Sequence, residues 1–144
     1  MSSTLATLRR SVFARHSNPW SAWTRWLSAP LTLVPVWTRR WRHAAPVALW
    51  MVANAVVFPK PADDSAWATR AMLGEERWIV ERPRDTAMAV NAASSMALLA
   101  ALIAARRRRA LPAAGATAVS MGLTMVYWKL MVDSYEASEV AAAE

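Results

Sequence analysis

The densest chemistry in the chain lies between His16 and Trp26, which reads HSNPWSAWTRW. An imidazole, an amide and a guanidinium within ten positions can hold a small anion or a lipid headgroup, so His16, Asn18 and Arg25 are a candidate contact for either. The same residues also have a plainer use. Asn18 before Pro19 is a helix start, because Asn caps well and Pro suits the first helical position. Trp20, Trp23 and Trp26 recur every three residues and suit an interfacial anchor, with Arg25 available to lipid phosphate. Anchoring is the simpler reading.

Elsewhere the residue types exclude more than they offer. There is no Cys, which removes disulfides, thiolate metal sites and cysteine nucleophiles. A metal site needs three or four ligands, and the only imidazoles are His16 and His43. Glu75 and Glu76 are adjacent, so on a helix they diverge by about 100° instead of converging on one ion. Neither HExxH nor GxSxG occurs, and Gly74, Gly115 and Gly122 are too few and too scattered for a phosphate loop. The expectation is no metal, no cofactor and no catalytic residue, hence a non-enzyme.

Such residues must be positioned by elements, and the apolar runs say which. Residues 86–105 are twenty without a charge, and as a helix they measure about 30 Å, the thickness of a bilayer core. Arg106, Arg107, Arg108 and Arg109 follow, then a second uncharged run over 110–128 with Pro112 in its first turn. Neither run carries the polar stripe that a surface helix of a soluble protein needs. Residues 86–132 therefore predict a transmembrane hairpin. Within 26–58 the uncharged runs 26–37 and 44–58 are shorter, and the first holds Pro30 and Pro35. They predict a Pro-broken helical hairpin around the basic turn Arg39, Arg40, Trp41, Arg42.

The expected fold is all-α: one integral membrane domain over 1–144, with four hydrophobic helices and amphipathic interfacial ones. Residues 1–62 carry eight basic side chains and no acid, and the remainder carries nine basic and ten acidic. A basic half in an apolar chain implies an anionic surface, and its interleaved Trp suits lipid better than nucleic acid. Four crossings would place Arg9, Arg10, Arg15 and Arg25 outside, against the positive-inside rule, whereas three would not. A first leg that does not cross satisfies both the charge and the apolar pattern.

Residues 1–25 are expected to be a basic interfacial arm, with Leu5, Leu8, Val12 and Phe13 near one face and the arginines largely on another. No cleaved leader is expected, since no apolar run there is long enough. An organelle transit peptide is the less favoured alternative. Fifteen Arg to two Lys, with 31 Ala, looks like a GC-rich prokaryotic genome and argues against it. Residues 63–82 predict an amphipathic helix capped by Asp63, Asp64 or Ser65 and stopped at Pro83, with Trp67, Ala71 and Trp78 along one side and Arg77 four before Glu81.

Inside the hydrophobic helices, Asn54, Asn91, Ser120 and Thr124 are expected in intramembrane polar packing, with both Asn facing protein. Small residues at spacing four (Ala89, Ala93, Ala97, Ala101, and Ala114, Ala118, Gly122) let backbones approach closely, between these helices or in a homo-oligomer. Trp37, Trp41, Trp67, Trp78 and Trp128 join Trp20, Trp23 and Trp26 as interfacial anchors, and Lys129 and Asp133 suit a local ion pair.

The stretch HSNPWSAWTR, a Pro-broken apolar run, a basic Trp-containing turn, NAVVFP at 54–59, AWATRA at 66–71 and Leu73, Gly74, Glu75 together resemble a family of small uncharacterised prokaryotic membrane proteins, over about residues 14–135. That family is a domain of unknown function. The resemblance implies a multi-pass protein of the cell membrane and supplies no activity, and it points to His16, Asn18, Pro19, Trp23, Arg25, Asn54, Pro59, Trp67 and Glu75 for any site. The function expected is a structural or interaction subunit, with lipids and a homo-oligomer or another membrane subunit as partners and no nucleic acid. The alternatives are a small oligomeric transporter or channel lined by Asn54, Asn91, Ser120 and Thr124, and a membrane enzyme on lipid phosphates with His16 as base and Arg25 on the phosphate.

Overall fold

A computed structural model describes residues 2–81 and 84–143, with the side chains of residues 2–6 and 9 outside the description. Among the described residues every regular element is helical: α1 (Ser2–His16), α2 (Pro19–Ser28), a 3-10 turn (Ala29–Thr32), α3 (Leu33–Thr38), a second 3-10 turn (Trp41–His43), α4 (Ala44–Val57), α5 (Trp67–Glu81), α6 (Thr86–Arg106) and α7 (Ala110–Ala143). The chain forms two compact units, one of residues 1–25, 51–83 and 128–144, the other of residues 26–50 and 84–127.

The second unit holds the membrane signal. Among the described residues only α6 and α7 are long and apolar enough to cross a bilayer, so two helices qualify where the sequence suggested four hydrophobic helices with three or four crossings. The first leg fails because Pro30 stands in the first positions of a four-residue 3-10 turn and Pro35 sits in a six-residue α3. The 14 residues of α4 reach only about 21 Å. Asp85 caps α6 by accepting from Met88 N at 2.9 Å. The inner faces are small or polar. Ser94 Oγ donates to Ser120 O and Ser120 Oγ to Ser94 O, both at 3.0 Å, with Thr124 Oγ1 3.1 Å from Ser94 Oγ. Ala104, Ala105 and Ala113 pack with Leu33, Val36 and Trp37. Met96, Leu99, Ile103, Leu111 and Val119 point outward.

Both turns of this unit end helices in a way the sequence does not announce. Arg109 N bonds Ala104 O and Arg108 N bonds Ala105 O, which is a Schellman closure. Its left-handed position, φ 57°, is filled by Arg108, and Arg39 at the end of α3 has φ 55°. Glycine is the usual occupant there, and any other side chain costs about 1 kcal/mol.

The first unit is built on close backbone approach. A Cβ on Gly74 of α5 would lie 2.1 Å from Met131 O of α7. Ala68, Ala71, Met72, Met131 and Val132 are buried around that crossing. Trp23 stacks on Trp67 at 6.1 Å and meets Trp128 edge-on at 5.8 Å, so these three make an aromatic cluster with Trp128 buried beneath the half-buried Trp67 and the exposed Trp23. Trp128, 5% exposed, is not the interfacial anchor the sequence suggested.

Helix α5 starts at Trp67, four residues later than expected, because Asp63 accepts from Ser65 N in a local turn and Asp64 accepts from Tyr135 Oη at 2.6 Å. Its buried side is Ala68, Thr69, Ala71, Met72 and Gly74, shifted from the stripe the sequence suggested. Its expected stop at Arg82 and Pro83 lies outside the described residues, as do the face of Leu5 and Arg9 and the tail residue Glu144. Arg77 pairs with Glu139 at 2.7 Å and also bonds Ser138, in place of the expected Glu81 partner. Arg70 pairs with Glu136 at 3.1 Å. These pairs, with Tyr135, hold α7 helical well past the apolar run that the sequence ends at 128.

Candidate functional site

Four elements of the first unit converge on the residues that opened the sequence reading. α1 ends at His16, and Asn18 then caps α2 by accepting from Trp20 N at 2.9 Å while its amide donates to Pro59 O at 3.0 Å. This is the Asn-Pro start read from the sequence, with the second bond added by the fold. From α2, Ser21 Oγ donates to Asn54 O at 2.9 Å and lies 3.0 Å from Asn54 Oδ1. Asn54 Nδ2 in turn donates to Thr24 Oγ1 at 2.8 Å. Asn54 has no exposed surface, and its amide is satisfied on both sides, as a buried amide requires.

One turn further along α2, Arg25 Nη1 donates to His16 Nδ1 at 2.8 Å and Nη2 lies 3.5 Å from Met72 Sδ. The bond fixes the tautomer: Nδ1 accepts, so the imidazole proton sits on Nε2. Burial and the Arg25 charge push the His16 pKa down to about 4, so the ring is neutral at pH 7. Burial also lowers the Arg25 pKa, and Glu75 opposes that shift by favouring the charged guanidinium. The edge of the Phe13 ring closes on His16 at 5.3 Å.

Thus His16 and Arg25 meet directly with Glu75 within electrostatic reach of Arg25, while Asn54 and Asn18 bond other positions around the same helix, α2. Each is already engaged by a neighbour. The arrangement is a polar clamp joining α1, α2, α4 and α5. For His16 to act as a base toward a substrate, Nδ1 would have to give up Arg25, and for Arg25 to seize a phosphate it would have to leave His16. Sequence reasoning missed Ser21, Thr24 and Met72 as members. Ser21 and Thr24 carry a faint signal, being three apart on one face of α2.

The remaining expected positions scatter. Ser120 and Thr124 bond Ser94 in the other unit. Asn91 is exposed, contrary to the expectation that it faces protein. The backbone carbonyl of Asn91 accepts from Ser95 Oγ at 3.0 Å. Trp26 Nε1 donates to Met121 O at 3.1 Å, Trp37 lies beneath Arg108, Trp78 is half-buried, and Trp20 and Trp41 are exposed. Lys129 and Asp133 form the expected pair, at 2.8 Å. Among the described residues no three His, Asp or Glu side chains are grouped to hold a metal ion.

Fold and site together define a class: an all-helical protein with an internally satisfied polar clamp and two helices long and apolar enough to cross a membrane. Within that class, the chain belongs to the DUF6653 family, a family of unknown function, which matches residues 4–133 and so takes in every candidate residue above. No curated protein and no solved structure matches the chain.

Proposed function

We propose that this chain is an integral membrane protein that enters the bilayer through the α6–α7 hairpin and serves as a structural or interaction subunit. One observation carries the reading. In both helices only 22% of the most apolar window is buried, while Ser94, Ser120 and Thr124 bond one another on the inside. A soluble core helix has the opposite arrangement, and an outward apolar surface of this extent needs a solvent of acyl chains.

The interaction part rests on the outer face. Ala114, Ala118 and Gly122 are exposed at spacing four, and Gly122 has open space where a Cβ would be. Asn91 is exposed on α6, and an amide facing acyl chains is costly unless a partner bonds it. A second copy supplies both a close-packing face and an amide partner. The channel reading loses its lining, because Asn54, Ser120 and Thr124 are held by intrachain bonds.

Alkaline extraction of isolated membranes tests the first part, and the chain is expected in the pellet. Recovery in the supernatant, folded and without detergent, would end the reading. Cross-linking in bilayer nanodiscs tests the second: a dimer or larger assembly is expected, weakened by Gly122→Leu and Asn91→Leu. A monomer that captures no partner would remove it.

A further inference from the structure

We propose that the arginine-rich end of the second unit binds the phosphate of an anionic phospholipid. This goes beyond the membrane reading and rests on it. The fold brings together two turns that are 67 residues apart in sequence: α3 packs on α6, and Arg39 Nη2 donates to Arg106 O at 3.2 Å. Arg39, Arg40, Arg42, Arg106, Arg107, Arg108 and Arg109 therefore share one end. The only carboxylate in this unit is Asp85, which caps the opposite end of α6, roughly 30 Å away by helical rise. Seven cations without a local anion repel one another, and a bound anion relieves that repulsion.

Three further features give the charge a shape. Arg39 and Arg106 flank a cleft of about 190 Å³ whose other walls are Pro35, Val36 and Trp41. Trp41 is 85% exposed and Leu111, just past the arginines, is 86% exposed, which places apolar side chains beside the guanidinium groups. Arg108 lies over the Trp37 ring at 5.5 Å, and Trp37 with Leu33 and Ala110 lines the arginine end of an apolar groove of about 430 Å³, whose far wall, Ala114 and Ala118, is the face proposed for a second copy. Cationic forks at the mouth of an apolar groove fit a headgroup and an acyl chain of one molecule.

The backbone adds an independent reason. Arg39 and Arg108 occupy left-handed positions that glycine fills at no steric cost. Strain tolerated at two arginines at the same end of the unit is a cost set against what the side chains supply there: one bond to Arg106 O, one contact with Trp37, and two cationic forks at the groove.

The test is native mass spectrometry of the full-length chain in mild detergent with equal phosphatidylglycerol and phosphatidylcholine. Retention of phosphatidylglycerol about tenfold over phosphatidylcholine is expected, falling to near parity in Arg39→Gln with Arg106→Gln. Arg39→Gly with Arg108→Gly separates recognition from folding. The lipid preference should fall while the lipid-free Tm rises by about 2–4 °C, since two strained residues are relieved. Equal retention of the two lipids by the parent chain, or an unchanged preference in both pairs of variants, overturns the proposal. So does displacement of the lipid by excess inorganic phosphate, which would mark a site for a soluble phosphate, or by single-stranded RNA. Loss of the membrane reading shows separately, as a chain that does not pellet with membranes.

Discussion

The two units solve opposite problems with the same element type. In the unit of residues 1–25, 51–83 and 128–144, the buried and half-buried polar groups of the clamp are partnered within the chain, Arg25 on His16 and Asn54 on Ser21 and Thr24, and the exposed Asp64 is held by Tyr135. In the unit of residues 26–50 and 84–127, apolar side chains point outward, hydroxyls bond within, and seven arginines gather at one end while the unit's own single carboxylate, Asp85, is at the other end of α6. The first is organised as a protein in water is, around satisfied polar contacts and a tight crossing. The second has the surface that the proposed bilayer and lipid-phosphate readings call for: few hydrogen-bonding groups along its sides and guanidinium groups at one end. Helix propensity alone does not distinguish them. What differs is the partner each polar group has.

The sharpest way to break this contrast is at the glycines. Gly74→Ala places a methyl group 2.1 Å from a backbone carbonyl, where no rotamer change relieves it. It is expected to cost about 3 kcal/mol or more and to disperse the Trp23–Trp67–Trp128 cluster, read by near-ultraviolet circular dichroism and tryptophan emission. Gly115→Ala, with open space around it, should leave stability unchanged or raise it by up to about 1 kcal/mol. Equal effects at the two sites would show that the crossing is not tight.

Asn54→Leu comes next. It removes the side-chain bonds to Ser21 and Thr24 and sets an apolar side chain against their hydroxyls, which keep only their bonds to the backbone carbonyls of residues 54 and 20, and should cost about 2 kcal/mol in thermal or denaturant unfolding.

The clamp also makes the first unit acid-sensitive. The folded His16 pKa of about 4 lies below its ordinary 6.5, so the unfolded chain takes up the proton first. The stabilisation is complete above pH 6.5 and is lost as pH falls toward 4, amounting at most to about 3 kcal/mol. His16→Gln, which keeps an acceptor for Arg25 but does not titrate, should flatten the unfolding profile across that window. An unchanged slope would mean that the ring is not held by Arg25. The smallest effect belongs to Ser94→Ala, about 0.6–1 kcal/mol, since hydroxyl contacts between membrane helices are individually weak. A loss as large as that of Asn54→Leu would erase the distinction between the units.

Much of this was legible from residue order. Pro30 and Pro35 break a helix wherever they are placed, Asn18-Pro19 starts one, and two uncharged runs flanking four arginines can hardly be anything but a hairpin of apolar helices. The extent of α7 was not legible, because Asp133, Glu136 and Glu139 end an apolar run without ending a helix. Their continuation depends on Asp64, Arg70 and Arg77, which are distant in sequence. The clamp was half legible: the resemblance pointed to His16, Arg25 and Asn54, while their being locked to one another, instead of open to a ligand, was not visible. Trp128 shows the same limit, since composition suited it to an interface and the fold buries it, and Asn91 is exposed in the single chain where its polarity suited a protein-facing position.

Local sequence therefore settled what each segment is, through backbone sterics, charge-free length and capping, all of which act within a few residues. Tertiary structure alone decided which polar groups are satisfied and which are left over. A hydrogen bond or a close backbone crossing joins positions tens of residues apart, and no periodicity in the chain records that pairing.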